Sequence, residues 1–162
     1  SIDPTIIPYL IEHEGMTGEQ VEDMLNRQSG LLGVSGLSND SRNVCEAAAQ
    51  GHYRAGLAIR ILVHGIKKYI GAYVAEMNGI DALVFTAGIG ENDAGLRRQV
   101  CAGMDYLGIA LDEGANSSLP RGEAGDISAP GARVRTFVIP TDEEYMIAQD
   151  TETLAKSVIH SH

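Results

Sequence analysis

Asp81-Ala-Leu-Val-Phe-Thr-Ala-Gly-Ile-Gly-Glu-Asn-Asp93 is the stretch on which the reading of this chain turns. A short run of β-branched, aliphatic and aromatic residues, Leu83 to Thr86, stops at Gly88-Ile89-Gly90. An acid and an amide follow, and then the helical spacing of Leu96 and Val100. Strand, glycine turn and helix start form the geometry that lets backbone approach a nucleotide closely, because glycine has no Cβ to hold a ligand away. Parallel sheets also turn from strand to helix through glycines for packing alone, so the stretch by itself leaves both readings open.

Working outward, a second strand-to-helix passage supports an α/β layout. Val134-Arg-Thr-Phe-Val-Ile139 alternates as a strand and ends at Pro140, and Thr141-Asp-Glu-Glu144 starts a last helix through Met146, Ile147 and Leu154. Before the first strand lies the longest helical pattern, about Tyr53 to Met77, with Leu57, Ile61, His64, Tyr73, Val74 and Met77 at three- and four-residue steps. Ile66 and Ile70 make a further face apolar, so a central helix is expected, stopped by Gly79. Helix 92–102 follows the glycine turn, and Leu107 to Leu111 suggests a short strand. Asp112 to Ala132 reads as an exposed loop from its Gly, Asn, Ser, Pro and charged residues, and the tail from Lys156 is expected to fray.

Upstream, residues 1–16 hold an apolar patch, and Thr17-Gly-Glu-Gln20 has the form of a capping box that opens a helix through Val21, Met24 and Leu25. Ser29 to Asn39 reads as an extended loop that carries Leu31, Leu32, Val34 and Leu37 inward. Asp40-Ser41-Arg42 opens a helix with Val44, Ala47 and Ala48 on its buried side. Neither a repeat nor a dividing linker is visible. Ligand chemistry in such a layout belongs at the carboxyl ends of the strands.

Bulk properties narrow the classes. The chain has 162 residues, about one domain's worth, and its 44% hydrophobic and 21% charged content is that of a soluble globular protein. Twelve basic against twenty-two acidic residues, a formal charge of −10, argue against binding a nucleic-acid phosphate backbone, which needs a basic face. A nucleotide stays compatible, because backbone amides and a metal ion offset phosphate charge locally. Cys45 and Cys101 lack metal-type spacing and fit reduced thiols in the cytoplasm. No run approaches the ~18 apolar residues of a membrane span. The opening Ser1-Ile-Asp-Pro lacks a methionine, so the chain is expected to begin inside something longer.

Three constellations carry possible chemistry. In the glycine turn, Asn92 is placed to cap the next helix and Glu91 has no comparable structural duty; Ile89 is a candidate platform for a base. In the second, Asp40 is an N-cap, while Arg42 in the first turn opposes the helix dipole and so suggests a phosphate, ribose or carboxylate partner. In the third, Thr141 and Glu144 are expected to form a reciprocal capping box, which leaves Glu143 as a spare carboxylate suited to magnesium. The histidines give little. His64 fits a core or interface position; His13, His52, His160 and His162 look exposed, and no Ser-His-Asp or Cys-His set is arguable.

In this order and spacing the stretches resemble the C-terminal half of the acetate kinase family, the acetate, propionate and butyrate kinases. The resemblance rests on Ser1-Ile-Asp-Pro, Ser29-Gly-Leu-Leu-Gly-Val-Ser-Gly36, Asn39-Asp-Ser-Arg42, Phe85-Thr-Ala-Gly-Ile-Gly-Glu-Asn92, Tyr106-Leu-Gly-Ile109 and Ile139-Pro-Thr-Asp-Glu-Glu144. It implies an α/β, ribonuclease-H-like lobe of the actin and sugar-kinase superfamily, a mixed sheet with flanking helices, over residues 1–162. It also implies transfer of phosphate between ATP and a short-chain carboxylate, with ATP or ADP and Mg2+ as cofactors, and a homodimer. By resemblance Asp40, Ser41 and Arg42 contact the nucleotide, Gly88, Ile89, Gly90, Glu91 and Asn92 hold its adenosine end, and Glu143 is the magnesium-associated acid.

Departures from the family pattern shape the expectation as much as the matches. The family's His-Leu-Gly-Asn-Gly motif, its catalytic histidines and its amino-terminal asparagine have no counterpart here, so no catalytic residue is assigned. Its catalytic arginine falls just before the segment matched by Ser1. Asp142 stands where asparagine is common, and Ser41 where a larger side chain is often found. The expectation is a nucleotide-binding lobe without its N-terminal partner, inactive by itself. A propionate kinase lobe and a dimerisation module with an empty nucleotide half-site are the alternatives.

Overall fold

The computed structural model describes residues 2–159 of the chain, with Ala155, Ser157, Val158 and Ile159 as backbone only. His160 and His162, expected to be exposed, and the end of the tail lie outside the described residues. By internal contact the chain forms two compact units, Ser1–Gly71 and Ala72–His162. Their boundary falls inside a helix, which is why no change of composition marks it.

The first unit is helical. Helix α1 (Ile6–His13) precedes α2 (Gly18–Arg27), which starts as expected: Thr17 Oγ1 accepts from the Gln20 amide at 3.2 Å and Gln20 Oε1 accepts from the Thr17 amide at 2.8 Å. The stretch expected as an extended loop instead contains helix α3 (Gly30–Ser35), closed by Gly36 in the left-handed region at φ 69°. Two of its last carbonyls, Gly33 O and Val34 O, accept from the Arg54 guanidinium at 3.1 and 2.8 Å. That long-range cap stabilises a helix which Gly and Ser disfavour locally. Leu31, Leu32 and Val34 are half-buried as expected, but Leu37 is exposed.

Helices α4 (Ser41–Ala49) and α5 (Tyr53–Glu76) match their expected limits closely. Val44 is fully buried, with Ala47 and Ala48 half-buried beside it. The expected stripe of α5 is not the buried one. Ala55, Ala58, Ile59 and Val63 form its buried face, whereas Ile61, Tyr73, Met77 and His64 are exposed. Small and β-branched residues let a neighbour approach closely, and the large side chains point outward. Burial ends at Val63, so α5 is not central along its length.

The second unit holds a three-stranded sheet in the order β1-β3-β2: β1 (Ala82–Phe85), β2 (Gly125–Asp126) and β3 (Arg135–Val138). Strand β1 runs parallel to β3, with Phe85 opposite Val138, and β2 is antiparallel to β3. The sheet is therefore mixed. Between β1 and β2 come α6 (Ala87–Asn92), α7 (Ala94–Cys101), a 3-10 turn (Asp105–Leu107) and α8 (Glu113–Ser118); α9 (Glu143–Ile159) follows β3. Phe85, Leu96, Val100, Ile109, Ile127, Val134 and Val138 form the core of this unit.

Two expectations here are corrected. Leu107 to Leu111 forms no strand: Gly108 takes φ 90°, and only single bridges follow, Ile109 with Val134 and Leu111 with Ser128. The stretch 112–132 is not simply an exposed loop. Asp112 caps α8 by accepting from the Ala115 amide at 2.9 Å, Asn116 is 1% exposed, and Ile127 is fully buried. Buried contacts made by a few residues outweigh the polar composition around them.

Candidate functional site

The parallel strands β1 and β3 end side by side, and each feeds a turn and a helix from that edge. A recess of about 470 Å³ lies where the two turns meet, lined by Ala87, Gly88, Thr141, Asp142, Glu143 and Glu144. Carboxyl ends of adjacent parallel strands are where open α/β sheets hold ligands. Two of the three constellations read from the sequence, the glycine turn and the Glu143 turn, are thus brought together.

The first turn is strained. Ala87 has φ 53°, and Gly88 interrupts α6 at φ 25°, ψ −104°. A Cβ built on Gly88 meets no atom within 4 Å, so it is the backbone angle that requires glycine there. Ile89 is half-buried, Gly90 buried and Asn92 exposed, and none of these three lines the recess.

Side chains hold this strain in place. Glu91 Oε1 accepts from the Ala87 amide at 2.5 Å and from the Thr141 amide and hydroxyl at 2.9 and 3.3 Å. Glu91 therefore has a clear structural duty, contrary to the expectation, and it spans fifty residues of sequence. Asn92 does not cap the next helix. Its amide donates back to Gly88 O at 2.7 Å, and Asp93 caps α7 by accepting from the Leu96 amide at 2.8 Å.

Arg97, which the sequence reading passed over, anchors the turn from beneath. It is 2% exposed and donates to Gly90 O (2.9 Å), Glu91 O (2.7 Å), Asn116 Oδ1 (2.7 Å) and Asn116 O (3.1 Å). Burial pulls its pKa below the usual arginine value, partly opposed by the Asp93 charge. A signal was available. Arg97 stands three residues before Val100 and one after Leu96, on the buried face of α7.

The second turn also differs from its expected form. Thr141 and Glu144 make no capping box, because the Thr141 amide and hydroxyl are occupied by Glu91. Asp142 is the cap instead, accepting from the Tyr145 amide at 3.0 Å through Oδ1 and from the Met146 amide at 3.2 Å through its carbonyl. Glu143 then opens α9. Among the described residues its carboxylate makes no hydrogen bond or ion pair. Glu144 is left without such a partner as well, so the missing box removes the expected distinction between the two acids, and both line the recess.

Asp40, Ser41 and Arg42 belong to the first unit. Asp40 caps α4 by accepting from the Arg42 amide at 2.9 Å and also grips the Arg42 guanidinium, with Nη2 to Oδ2 at 2.6 Å. The partner sought for that first-turn cation is thus its own cap. The pairing holds the Asp40 carboxyl below its ordinary pKa, chiefly through the side-chain bond, and raises that of Arg42. Arg42 remains exposed, and Asp40 is half-buried.

Among the described residues no cluster of three or more His, Cys, Asp or Glu side chains is placed to hold a metal, and no helix is long and apolar enough to cross a membrane. The recess nevertheless offers oxygen donors only. Carboxylates in ones and twos suit Mg2+, which completes its shell with phosphate oxygens and water.

The model of the acetokinase family matches residues 1–149. The acetate kinase of Moorella thermoacetica is 54% identical over 156 residues, covering 96% of this chain and 39% of that protein. In structure the chain is similar to the acetate kinase of Porphyromonas gingivalis (TM-score 0.82, 44% identity, 96% of this chain and 39% of that one). It is also similar to a propionate kinase of Francisella tularensis subsp. tularensis (TM-score 0.80, 40% identity, 92% of this chain and 37% of that one). The chain spans about two fifths of the length of the curated relatives it matches. These likenesses bear out the α/β fold of the actin and sugar-kinase type, with a small mixed sheet and flanking helices. The chain belongs to the acetokinase family.

Proposed function

We propose that this chain is the nucleotide-binding part of a short-chain carboxylate kinase, which exchanges phosphate between ATP and a carboxylate such as acetate. The observation that carries the proposal is the recess where β1 and β3 end together, with a strained glycine turn on one side and the unpaired Glu143 carboxylate on the other. Phosphoryl transfer asks a protein mainly for positioning and charge compensation. The Gly88 turn would bring bare backbone to a nucleotide, and Glu143 would hold a magnesium ion, which when bound would supply charge neutralisation at the phosphates.

Three acids line the recess in a chain of formal charge −10, so a bare polyphosphate is repelled there. Binding is therefore expected to be weaker without magnesium than with it. Arg42 enters by family resemblance as a cation for the nucleotide, with Asp40 holding its guanidinium and Ser41 beside it. The 162 residues contain neither the family's catalytic histidines nor its phosphate-gripping motif, so the chain alone is expected to hold nucleotide weakly and form no acetyl phosphate.

Calorimetric titration with magnesium-ADP tests the reading. Saturable binding is expected, weakened about tenfold by Gly88→Val, since valine at that φ is strained by about 1–3 kcal/mol. Arg42→Ala and Glu143→Gln are expected to weaken it as well. Absence of saturable binding, or full binding in all three variants, contradicts it.

A second reading, self-association, is favoured by the outward-facing large side chains of α5: Ile61, Tyr69 and Tyr73 are 51%, 56% and 61% exposed. Sedimentation is expected to show a dimer that Ile61→Lys shifts toward monomer. A chain that stays monomeric at all concentrations excludes this reading.

A further inference from the structure

We propose that Glu91 is a positioning residue which couples the two turns of the recess, so that magnesium at the Glu143 turn strengthens nucleotide binding at the Gly88 turn. The proposal rests on the nucleotide reading above and assigns Glu91 a part that needs no contact with the ligand. One carboxylate oxygen joins the two turns: Oε1 accepts from the amide of Ala87 on one and from the amide and hydroxyl of Thr141 on the other. Glu91 itself does not line the recess, whereas Ala87 and Thr141, the residues it holds, both do.

The other anchors of the glycine turn do not cross to the second turn. Asn92 bonds within α6, and Arg97 bonds the turn to Asn116 at the start of the polar stretch. Ala87 at φ 53° is in a conformation that alanine seldom adopts, and the Glu91 bond to its amide helps to keep it there. A shift of Thr141, one residue before the cap of α9 and two before Glu143, is therefore carried through a single acceptor to Ala87, the residue before Gly88. Ligands that each favour the same arrangement of one shared group are coupled in their binding free energies.

The discriminating measurement is ADP affinity of the chain with and without magnesium, by calorimetry. In the unsubstituted chain magnesium is expected to tighten binding. Glu91→Ala is expected to lose about fivefold or more of that gain. Glu91→Gln is expected to keep it, because the side-chain carbonyl oxygen accepts from the same three donors. Equal loss in both variants means that the charge itself meets the ligand or metal, and it overturns the proposal. A full magnesium gain in Glu91→Ala overturns it too.

Should Glu91→Ala fold poorly, Glu91→Asp retains the charge with a reach one methylene shorter. Loss of the gain there supports the coupling, and its retention removes it. If the unsubstituted chain binds no nucleotide under any condition, the nucleotide reading fails and the coupling falls with it. If binding is intact and only the magnesium gain ignores Glu91, the coupling fails alone.

Discussion

Arg97 shows how much of the candidate site depends on a residue that touches no ligand in any reading. Its guanidinium satisfies two turn carbonyls and both oxygens of Asn116 inside the second unit. Removing it takes a donor from four acceptors, at a cost of about 1–3 kcal/mol for each that is then buried and unpaired. Arg97→Ala is accordingly expected to lower unfolding stability by about 3 kcal/mol or more in urea titrations. Arg97→Lys should recover little of the loss, because one ammonium cannot reproduce the planar fork. A loss under about 0.5 kcal/mol, the usual scale of a surface substitution, would contradict the burial seen here. Asn116 was not legible locally: it sits among Gly, Ala and Ser, and its partner lies nineteen residues away.

At the scale of elements, legibility follows the range of the contacts that decide each one. The α2 capping box is closed within four residues, Thr17 to Gln20, and is evident from the sequence. Two later caps are decided by contacts that local sequence does not show. At the last helix Thr141 was taken by Glu91, fifty residues distant, and the duty moved to Asp142. At α7 Asn92 turned back to Gly88, and Asp93 took over. Chemical denaturation separates the two candidates at α7: Asp93→Ala is expected to cost about 1 kcal/mol of stability through loss of its cap. Asn92→Ala should leave the α7 amides as protected from exchange as before. The reverse ranking of α7 amide protection would restore Asn92 as the cap. Helix α3 is not legible in its own residues for a related reason. Its stabilising partner, Arg54, is about twenty residues further along.

For the molecule as a whole, the alternation of strand, glycine turn and helix sufficed to place two turns at the ends of a sheet. The resemblance to a kinase family added the expected ligand. What neither supplied was the connection between the turns, since Glu91 and Thr141 meet only after β1 and β3 pair in parallel. Nor did periodicity identify the buried face of α5, where small residues packed inward and aromatic ones faced out. The central claim is that the recess between the two turns takes a magnesium nucleotide. It is tested most directly by following the backbone amide resonances of the chain while magnesium-ADP is added. The account predicts saturable shifts at residues 86–92 and 141–144 that are much smaller when magnesium is withheld. A separate recess in the first unit is lined by Glu19 and Asp23 of α2, and saturable shifts confined to it, or no shift at any residue, would contradict the claim.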